Sequence, residues 1–498
     1  MSGTSRARRS PVVLAAVAGL VAMGVCVGTA AWRMGYPYAL EWLEGSSLAE
    51  VDRLLTGRPL YASPTVDYVP APYPPLYFAA SAAVAGVLGV SYLPLRLVSL
   101  VATLGCFVVL ARLVQRESGD LAAGVAAAGL YAATYFAAAS WFDFARVDSL
   151  FLFFSLAGLY AARWTRRPAG AVAAGLLLGA AFLTKQSALA EAVAISVAVL
   201  CGRRRRLGAV LAVTFAGVAA LTTLVLNAMS HGWYVFYVFA VLSQHPLKPA
   251  AFGGFWTWYL LPALGLALGA ALLAVRRVSP VVGLGCLALA VEGCAGLVHT
   301  GGAVNNMIPV YASVAVLAGI GMGGSTPSLR GAVAGALVVA QIAVLAATTF
   351  APGRMVPGVA DRQVGDRLRA WLAGFGGPVA VLSDPGLAML AGLQPVAHRA
   401  AAADVLRGTD RAARARLEES IARAVAERRF AAIVVSRRAD LRGFPKDLGR
   451  HYHRCPEKLL ASVPDGVFRP VGGAPRRPSA LWLPVGRGSC SEAVRRLG

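Results

Sequence analysis

The stretch that decides the fold is "PVVLAAVAGLVAMGVCVGTAAW", residues 11–32, followed directly by "RMGYPYALEWLEGSS", residues 33–47. The first part carries no charged side chain and is long enough to cross the roughly 30 Å hydrocarbon core of a bilayer as a helix. The second part places Glu41 and Glu44 three residues apart, just after the apolar run. This pattern predicts a membrane-spanning helix with acidic side chains at its far end.

The composition extends this prediction to most of the chain. Of 498 residues, 57% are hydrophobic and 14% are charged, and the mean hydropathy of +0.63 is far above that of a soluble domain. Apolar runs recur as far as Phe350, so residues 1–350 are predicted to be an α-helical polytopic membrane domain of about 11 transmembrane helices. Residues 351–498 hold 25 Lys and Arg against 13 Asp and Glu, and are predicted to form a small soluble domain.

Arginine clusters indicate the orientation in the membrane. They lie at 6–9, 112–116, 163–167, 203–206 and 276–277, and positive loops face the cytoplasm. An even number of crossings must separate them, so the short apolar segment 74–91 is interpreted as a re-entrant or interfacial helix within a first outer loop, residues 33–91. The protein is thus predicted in the cytoplasmic membrane, with its N-terminus cytoplasmic and residues 351–498 extracytoplasmic. Residues 351–498 contribute +12 of the net charge of +23, and many of the remaining arginines lie in short loops between spans, where this topology explains them. No nucleic-acid partner is predicted.

With this topology, polar residues from five loops gather on the outer face. Ionisable groups at membrane depth cost free energy, so they are functional candidates. Structural alternatives remain: the glutamates could form the solvated face of an interfacial helix, Asp148 could favour a helix N-terminus, and Lys185 could extend its ammonium to the interface. The candidates are Glu41, Glu44, Tyr73, Arg146, Asp148, Lys185, Gln186, His245, Lys248 and Asn305.

The outer domain is predicted to be α/β. Its segments "GPVAVLSDPGLAMLAG", "FAAIVVSRR" and "SALWLPVG" indicate strand, helix, strand and strand. Cys455 and Cys490 both lie here, in an oxidising compartment, and could form a disulfide. No metal site is predicted. A divalent cation would be compatible with the acidic residues, but no ligand spacing indicates one, and no cofactor is predicted.

An ordered series of motifs resembles a known family. After the acidic pair come "GRPLY" (57–61), "YPPLY" (73–77), "RVDSLFLFFSLAGLY" (146–160), "FLTKQSAL" (182–189), "GWYVFYVF" (232–239) and "GGAVNNMIP" (301–309). The series resembles the bacterial GT-C membrane glycosyltransferases, similar to the protein O-mannosyltransferases and lipid A aminoarabinose transferases. The resemblance covers roughly residues 10–350.

The resemblance implies an inverting glycosyltransferase that takes a sugar from a polyprenyl-phosphate donor and transfers it to an envelope acceptor, which is a glycan, a lipid or a protein, on the outer face of the cytoplasmic membrane. Membrane lipids are expected as further partners. It implies Glu44 as general base, with Glu41 as its rival, and Asp148 as a second catalytic acid residue. The donor phosphate and substrate would then contact residues among Lys185, Arg146, Gln186, His245, Lys248, Asn305 and Tyr73. A transporter or flippase of lipid-linked substrates is the alternative, although the sequence contains no convincing internal repeat.

Overall fold

The computed structural model describes residues 3–324 and 326–497. Met1, Ser2 and Gly498, the outermost residues of the two predicted units, therefore lie outside the described residues. Helices make up most of the chain as far as residue 349, and a small sheet follows. The longer helices before the sheet are Gly3–Met34, Glu44–Leu55, Leu76–Leu88, Tyr92–Ser118, Leu121–Ala133, Asp148–Trp164, Pro168–Thr184, Ala188–Leu200, Arg205–Met229, Leu261–Leu272, Pro280–Val298, Met307–Met322 and Leu329–Thr349.

Several of these helices have the length and composition of membrane spans, which confirms a multi-pass membrane protein. In the described ranges, seven helical segments qualify: Ala7–Met34, Tyr92–Ser118, Arg205–Met229, Pro249–Leu272, Pro280–Val298, Val304–Met322 and Leu329–Thr349. Five further apolar helices are shorter, and 13 residues such as Leu121–Ala133 extend only about 20 Å. The predicted number of about 11 spans and their orientation stay predictions.

Small residues let the helices pack closely. A Cβ added to Gly129 would lie 2.0 Å from the Cα of Gly19, so the helices Gly3–Met34 and Leu121–Ala133 are in backbone contact at this crossing. Close approach of this kind is the usual means of helix association in lipid, where hydrophobic burial gives little driving force. The first helix is thereby fixed, and the turn that leaves it carries Glu41 and Glu44.

The first outer loop contains two short helices. Glu44–Leu55 and Leu76–Leu88 pack against each other, and the second also packs against Tyr92–Ser118. Leu76–Leu88 starts directly after Pro74 and Pro75 and ends at Gly89, whose positive φ of 85° breaks the helix. Its 13 residues are too few to span a bilayer, and its assignment as a re-entrant or interfacial helix stays a prediction.

The tail contains a four-stranded mixed sheet. Its strands are Val379–Val381, Ala432–Val435, Tyr452–Arg454 and Ala480–Pro484, in the order first, second, fourth, third. The first two are parallel and the other neighbours are antiparallel. The sequence predicts three of these strands but not Tyr452–Arg454, a three-residue edge strand with no alternating pattern. The helices Val359–Ala373, Arg399–Arg407 and Arg411–Ala426 cover the sheet.

Two features tie the tail together and to the loop. Cys455 and Cys490 form a disulfide with a Cα–Cα distance of 5.4 Å, as the sequence suggests. Leu48 and Val51 of the first outer loop share one hydrophobic core with Leu417 and Ile433 of the tail. The sheet is therefore docked directly on the segment that carries the acidic pair. Whether residues 351–498 fold as an independent domain stays a prediction.

Candidate active site

Glu44 is a structural anchor. Its carboxylate is completely buried and accepts four hydrogen bonds: from Arg96 Nε (3.2 Å) and Nη2 (2.6 Å), and from the backbone N–H groups of Leu40 and Ala145 (2.7 Å each). These bonds join the first outer loop to the helix Tyr92–Ser118 and to the segment before Asp148. Because every acceptor position is used and Arg96 compensates the charge, this geometry argues against the prediction that Glu44 is the first candidate for the base.

Glu41 is buried as deeply but is not saturated. Its Oε2 accepts the N–H of Leu43 at 3.0 Å and lies 3.9 Å from Arg146 Nε. Among the described residues, its Oε1 has no hydrogen-bond partner. Burial raises the pKa of Glu41 to about 8, and the charge of Arg146 opposes that rise. A buried carboxylate with a free oxygen and a raised pKa has the properties of a proton acceptor.

Arg146 lies beside Glu41 and is held by the first outer loop. Its Nη2 donates to the hydroxyl of Tyr73 at 3.2 Å, and its guanidinium carbon lies 5.5 Å from the centre of that ring. Its Nε is buried and lacks a hydrogen-bond partner among the described residues. Gln186 has a structural role: its Nε2 donates to the carbonyls of Pro72 and Val238, both at 2.9 Å, and so links the first outer loop to the segment that contains Val238. A cationic donor and an acidic acceptor thus stand together with unused hydrogen-bonding capacity.

A second polar cluster surrounds Lys185. Its ammonium lies 3.4 Å from each of three oxygens, which belong to Asp148, Glu292 and Asn306. Asp148 also accepts hydrogen bonds from Trp141 Nε1 and Asn305 Nδ2, both at 3.0 Å. The three lysine contacts are longer than the 2.7–2.9 Å typical of charge-assisted hydrogen bonds. These oxygens are of a kind that binds divalent cations, but here the ammonium already lies among them.

Sequence reasoning missed Glu292. It lies within the helix Pro280–Val298, in the apolar run "CLALAVEGCAG", and its side chain is buried. A lone carboxylate inside a predicted span was the available signal, because such a group must face a partner rather than lipid. Asp143, by contrast, is committed to structure: it forms a buried ion pair with Arg33 at 2.6 Å and accepts the hydroxyl of Tyr135 at 2.8 Å.

Two predicted ligand residues are not joined to either cluster by any contact among the described residues. The ring Nε2 of His245 lies 3.2 Å from the carbonyl and 4.0 Å from the carboxylate of Asp404, in the tail. The side chain of Lys248 is exposed, and its backbone N–H donates to Val298. Their predicted role at the donor phosphate lacks support, because His245 contacts the tail and the side chain of Lys248 faces solvent.

The tail completes the surroundings of Glu41. The N–H of Gly472 donates to the carbonyl of Leu40 at 3.1 Å. Gly473 adopts a positive φ of 71°, and a Cβ there would lie 2.4 Å from Glu41 Oε1. The chain thus uses glycine where backbone passes the free oxygen of the carboxylate. No motif in the sequence indicated this contact.

His398 holds the same turn from the tail side. Its Nε2 donates to the carbonyls of Trp42 (3.0 Å) and Ser383 (3.2 Å), and its Nδ1 accepts the N–H of Ala400 at 3.0 Å. This set of partners requires the neutral ring with the proton on Nε2. Burial lowers the pKa of His398 to about 3, so the ring stays neutral at physiological pH. Its position next to Trp42 makes it a support for Glu41.

Comparisons with known proteins agree with this architecture. Residues 72–230 match the family model described as dolichyl-phosphate-mannose-protein mannosyltransferase. The structure is similar to that of ArnT from Cupriavidus metallidurans bound to undecaprenyl phosphate, with a TM-score of 0.58, 14% identity, and coverage of 94% of this chain and 97% of that one. A comparison of the sequence with curated proteins found no match.

A second solved structure shares the fold. It is the archaeal oligosaccharyltransferase AglB from Archaeoglobus fulgidus in complex with an inhibitory peptide and a dolichol-phosphate, with a TM-score of 0.53, 14% identity, and coverage of 98% of this chain and 77% of that one. The protein is therefore a multi-pass membrane protein with the GT-C glycosyltransferase fold. Within that class, ArnT is similar over nearly its whole length, including the tail.

Proposed function

We propose that the protein is an inverting glycosyltransferase that moves a sugar from a polyprenyl-phosphate donor to an acceptor on the outer face of the cytoplasmic membrane. The observation that carries this proposal is the buried pair of Glu41 and Arg146, each with an unused hydrogen-bonding atom. Lipid phosphates bound to ArnT and AglB, which share this fold, support the choice of donor. The proposal includes a cytoplasmic N-terminus, a membrane domain over residues 1–350 and an extracytoplasmic domain over residues 351–498.

Glu41 is the proposed general base. As the acceptor hydroxyl attacks the anomeric carbon, its proton passes to the free Oε1 of Glu41. The new bond forms between the acceptor oxygen and the anomeric carbon while the bond from that carbon to the phosphate oxygen breaks. One displacement inverts the configuration at this carbon. The electron pair of the broken bond leaves on the lipid phosphate.

Arg146 and Lys185 are the proposed cations for the leaving phosphate. Arg146 has a free Nε–H in a buried site, where an interaction with developing negative charge is stronger than in water. Lys185 makes three contacts of 3.4 Å, longer than a charge-assisted hydrogen bond, so its ammonium can turn one N–H toward a phosphate oxygen while the other two keep their partners. Asp148, with Asn305 and Glu292, would orient this ammonium. A phosphate leaves as an anion, so no second carboxylate is needed as a general acid.

A transfer assay with radiolabelled polyprenyl-phosphate sugars tests the proposal. Wild-type protein in nanodiscs should label an envelope extract, Glu41→Gln should slow labelling by about 10²- to 10⁴-fold, and Asp148→Asn should reduce it. Full labelling by Glu41→Gln would refute Glu41 as the base. If folded wild-type protein transfers from none of the donors but moves lipid-linked sugar between leaflets, the transporter or flippase alternative is correct.

A further inference from the structure

The tail carries a large basic groove that the proposed chemistry does not use. Its volume is about 1020 Å³, comparable with the largest pockets that hold small ligands. It lies at one end of the sheet, where the strands Ala432–Val435 and Tyr452–Arg454 end and the strand Ala480–Pro484 begins, and residues within 458–477 form its other wall. Six basic side chains line it, with Asp465 as the acidic residue among its lining: Arg437, Arg454, Lys458, Arg469, Arg476 and Arg477.

These basic side chains differ in how far they are already engaged. Arg477 donates to the carbonyls of Val463, Pro464 and Val467, so it shapes the groove wall. Arg477 and Arg469 also pair with the carboxylate of Asp465, at 3.0 and 3.5 Å. The side chain of Arg437 is 58% exposed and lies 3.9 Å from the buried Asp440. Arg454 and Lys458 are exposed and take part in no ion pair among the described residues. The groove therefore presents unneutralised positive charge on a fixed wall, which is the arrangement that attracts polyanions.

One end of the groove reaches the turn of Glu41. Arg476 lines the groove, donates to Asp440 at 2.7 Å, and places its guanidinium 4.5 Å from the centre of the Trp42 ring. Ala474 also lines the groove, and its neighbour Gly473 is the residue that passes Glu41 Oε1. The groove therefore ends one residue along the chain from the backbone that contacts the proposed base.

We infer that this groove binds the acceptor, and that the acceptor is a glycan bearing phosphate or carboxylate groups. Guanidinium and ammonium groups match both kinds of anion. The volume accommodates a few sugar units, and Arg476 and Ala474 bring one end of the groove to the segment that packs against Trp42 and Glu41. The role of the ligand as acceptor depends on the proposed function, whereas its binding does not.

Binding to the full chain in phosphatidylcholine nanodiscs tests the inference apart from transfer. The probes are fluorescein-labelled oligogalacturonate, a phosphomannan oligosaccharide and, as a neutral control, a malto-oligosaccharide of equal length. We expect salt-sensitive binding of the charged probes and none of the neutral one. The double variant Arg454→Ser with Lys458→Ser should weaken that binding about tenfold. Equal binding of the neutral probe would overturn the inference.

A matched control comes from the same domain. Lys446→Ser with Arg450→Ser removes the same two charge types from exposed positions that do not line the groove, so it should leave binding within about twofold. An equal loss in both double variants, or no loss in the groove variant, would refute a specific site. If the groove variant does not fold, Arg437→Gln replaces it with the same expectation.

Two further experiments distinguish a glycan ligand from a lipid surface, and the inferred groove site from the proposed transfer function. Phosphatidylglycerol vesicles should not displace the glycan probes; displacement by vesicles alone would mean that the groove binds a lipid surface and would overturn the inference. Glu41→Gln should bind the charged probes normally even though its transfer of sugar is strongly slowed. Normal probe binding with no transfer by wild type would refute the proposed function and leave the groove as a glycan site.

Discussion

Glu41 and Glu44 are three residues apart, equally buried, and in entirely different situations. Glu44 receives four hydrogen bonds and a full counter-charge from Arg96. Glu41 receives one hydrogen bond, and Arg146 stays 3.9 Å away. Burial alone therefore does not identify a catalytic carboxylate. The difference lies in how many donors the fold provides, because a saturated carboxylate stabilises the structure while an unsaturated one can accept a proton.

The largest effect is expected from Glu41→Gln. The amide keeps the size of the side chain but cannot accept a proton, so the transfer rate should fall by about 10²- to 10⁴-fold. Thermal stability in detergent should be nearly unchanged, because a group with a pKa of about 8 is mostly neutral at pH 7. Initial rates and melting curves of the purified variant give both quantities. A large loss of stability would show that Glu41 resembles Glu44.

Glu44→Gln should act in the opposite way. Loss of the carboxylate leaves Arg96 buried without its counter-charge, which costs about 3–5 kcal/mol of folding free energy. We expect a lower melting temperature and poor yield, with transfer by the surviving folded protein largely retained. The companion variant Glu44→Gln with Arg96→Met removes both charges and should recover part of the stability. Normal stability of the single variant would contradict the anchor role.

Gly473→Ala tests the role of Glu41 from the tail, because Gly473 contacts Glu41. The added methyl group would lie 2.4 Å from Glu41 Oε1 and 2.6 Å from Trp42 Cδ1, at a backbone φ that favours glycine. We expect transfer to fall about tenfold or more, because a misplaced base loses much of its effect. Gly466→Ala, with a negative φ and open space around it, is the control and should behave as wild type.

A smaller effect is expected on the pH dependence of the transfer rate, which we attribute to Glu41. Transfer should rise with pH through an apparent pKa near 8, because burial keeps Glu41 protonated below that value. The raised pKa favours folding at low pH, and this contribution is lost as pH rises from about 4.5 to about 8. Rates measured between pH 6 and 9.5 should lose this step in Glu41→Gln. A persistent step would assign the titration to another group.

The smallest effect is expected at His398. Its folded pKa of about 3 lies below the ordinary value of 6.5, so the unfolded chain binds the extra proton and stability falls as pH drops below 6.5. His398→Gln should reduce this pH dependence and cost about 1–3 kcal/mol, because a buried carbonyl at Trp42 or Ser383 loses its donor. Melting temperatures between pH 5 and 8 provide the measurement.

The sequence predicted the fold class well and the site in part. Long apolar runs and motif order were sufficient for the multi-pass architecture and the GT-C fold, and Asp148, Lys185 and Asn305 do meet in space. The ranking of Glu44 over Glu41 lacks support because Arg96 saturates the carboxylate of Glu44. The sequence could not indicate this contact, because Arg96 is 52 residues away in the chain. Glu292 was overlooked inside a span, and Gly473 and His398 of the tail carried no signal at all.

The sequence by itself determined what depends on local composition: which segments are long and apolar enough to enter a membrane, where positive charge accumulates and where acidic residues follow a span. These properties are sums over neighbouring residues, so they can be calculated without knowing the fold. Only the tertiary structure decided which carboxylate is free. That depends on the approach of Arg96, Arg146, Ala145 and Gly473 to within a few ångströms, and residues so distant in the chain are brought together only by packing.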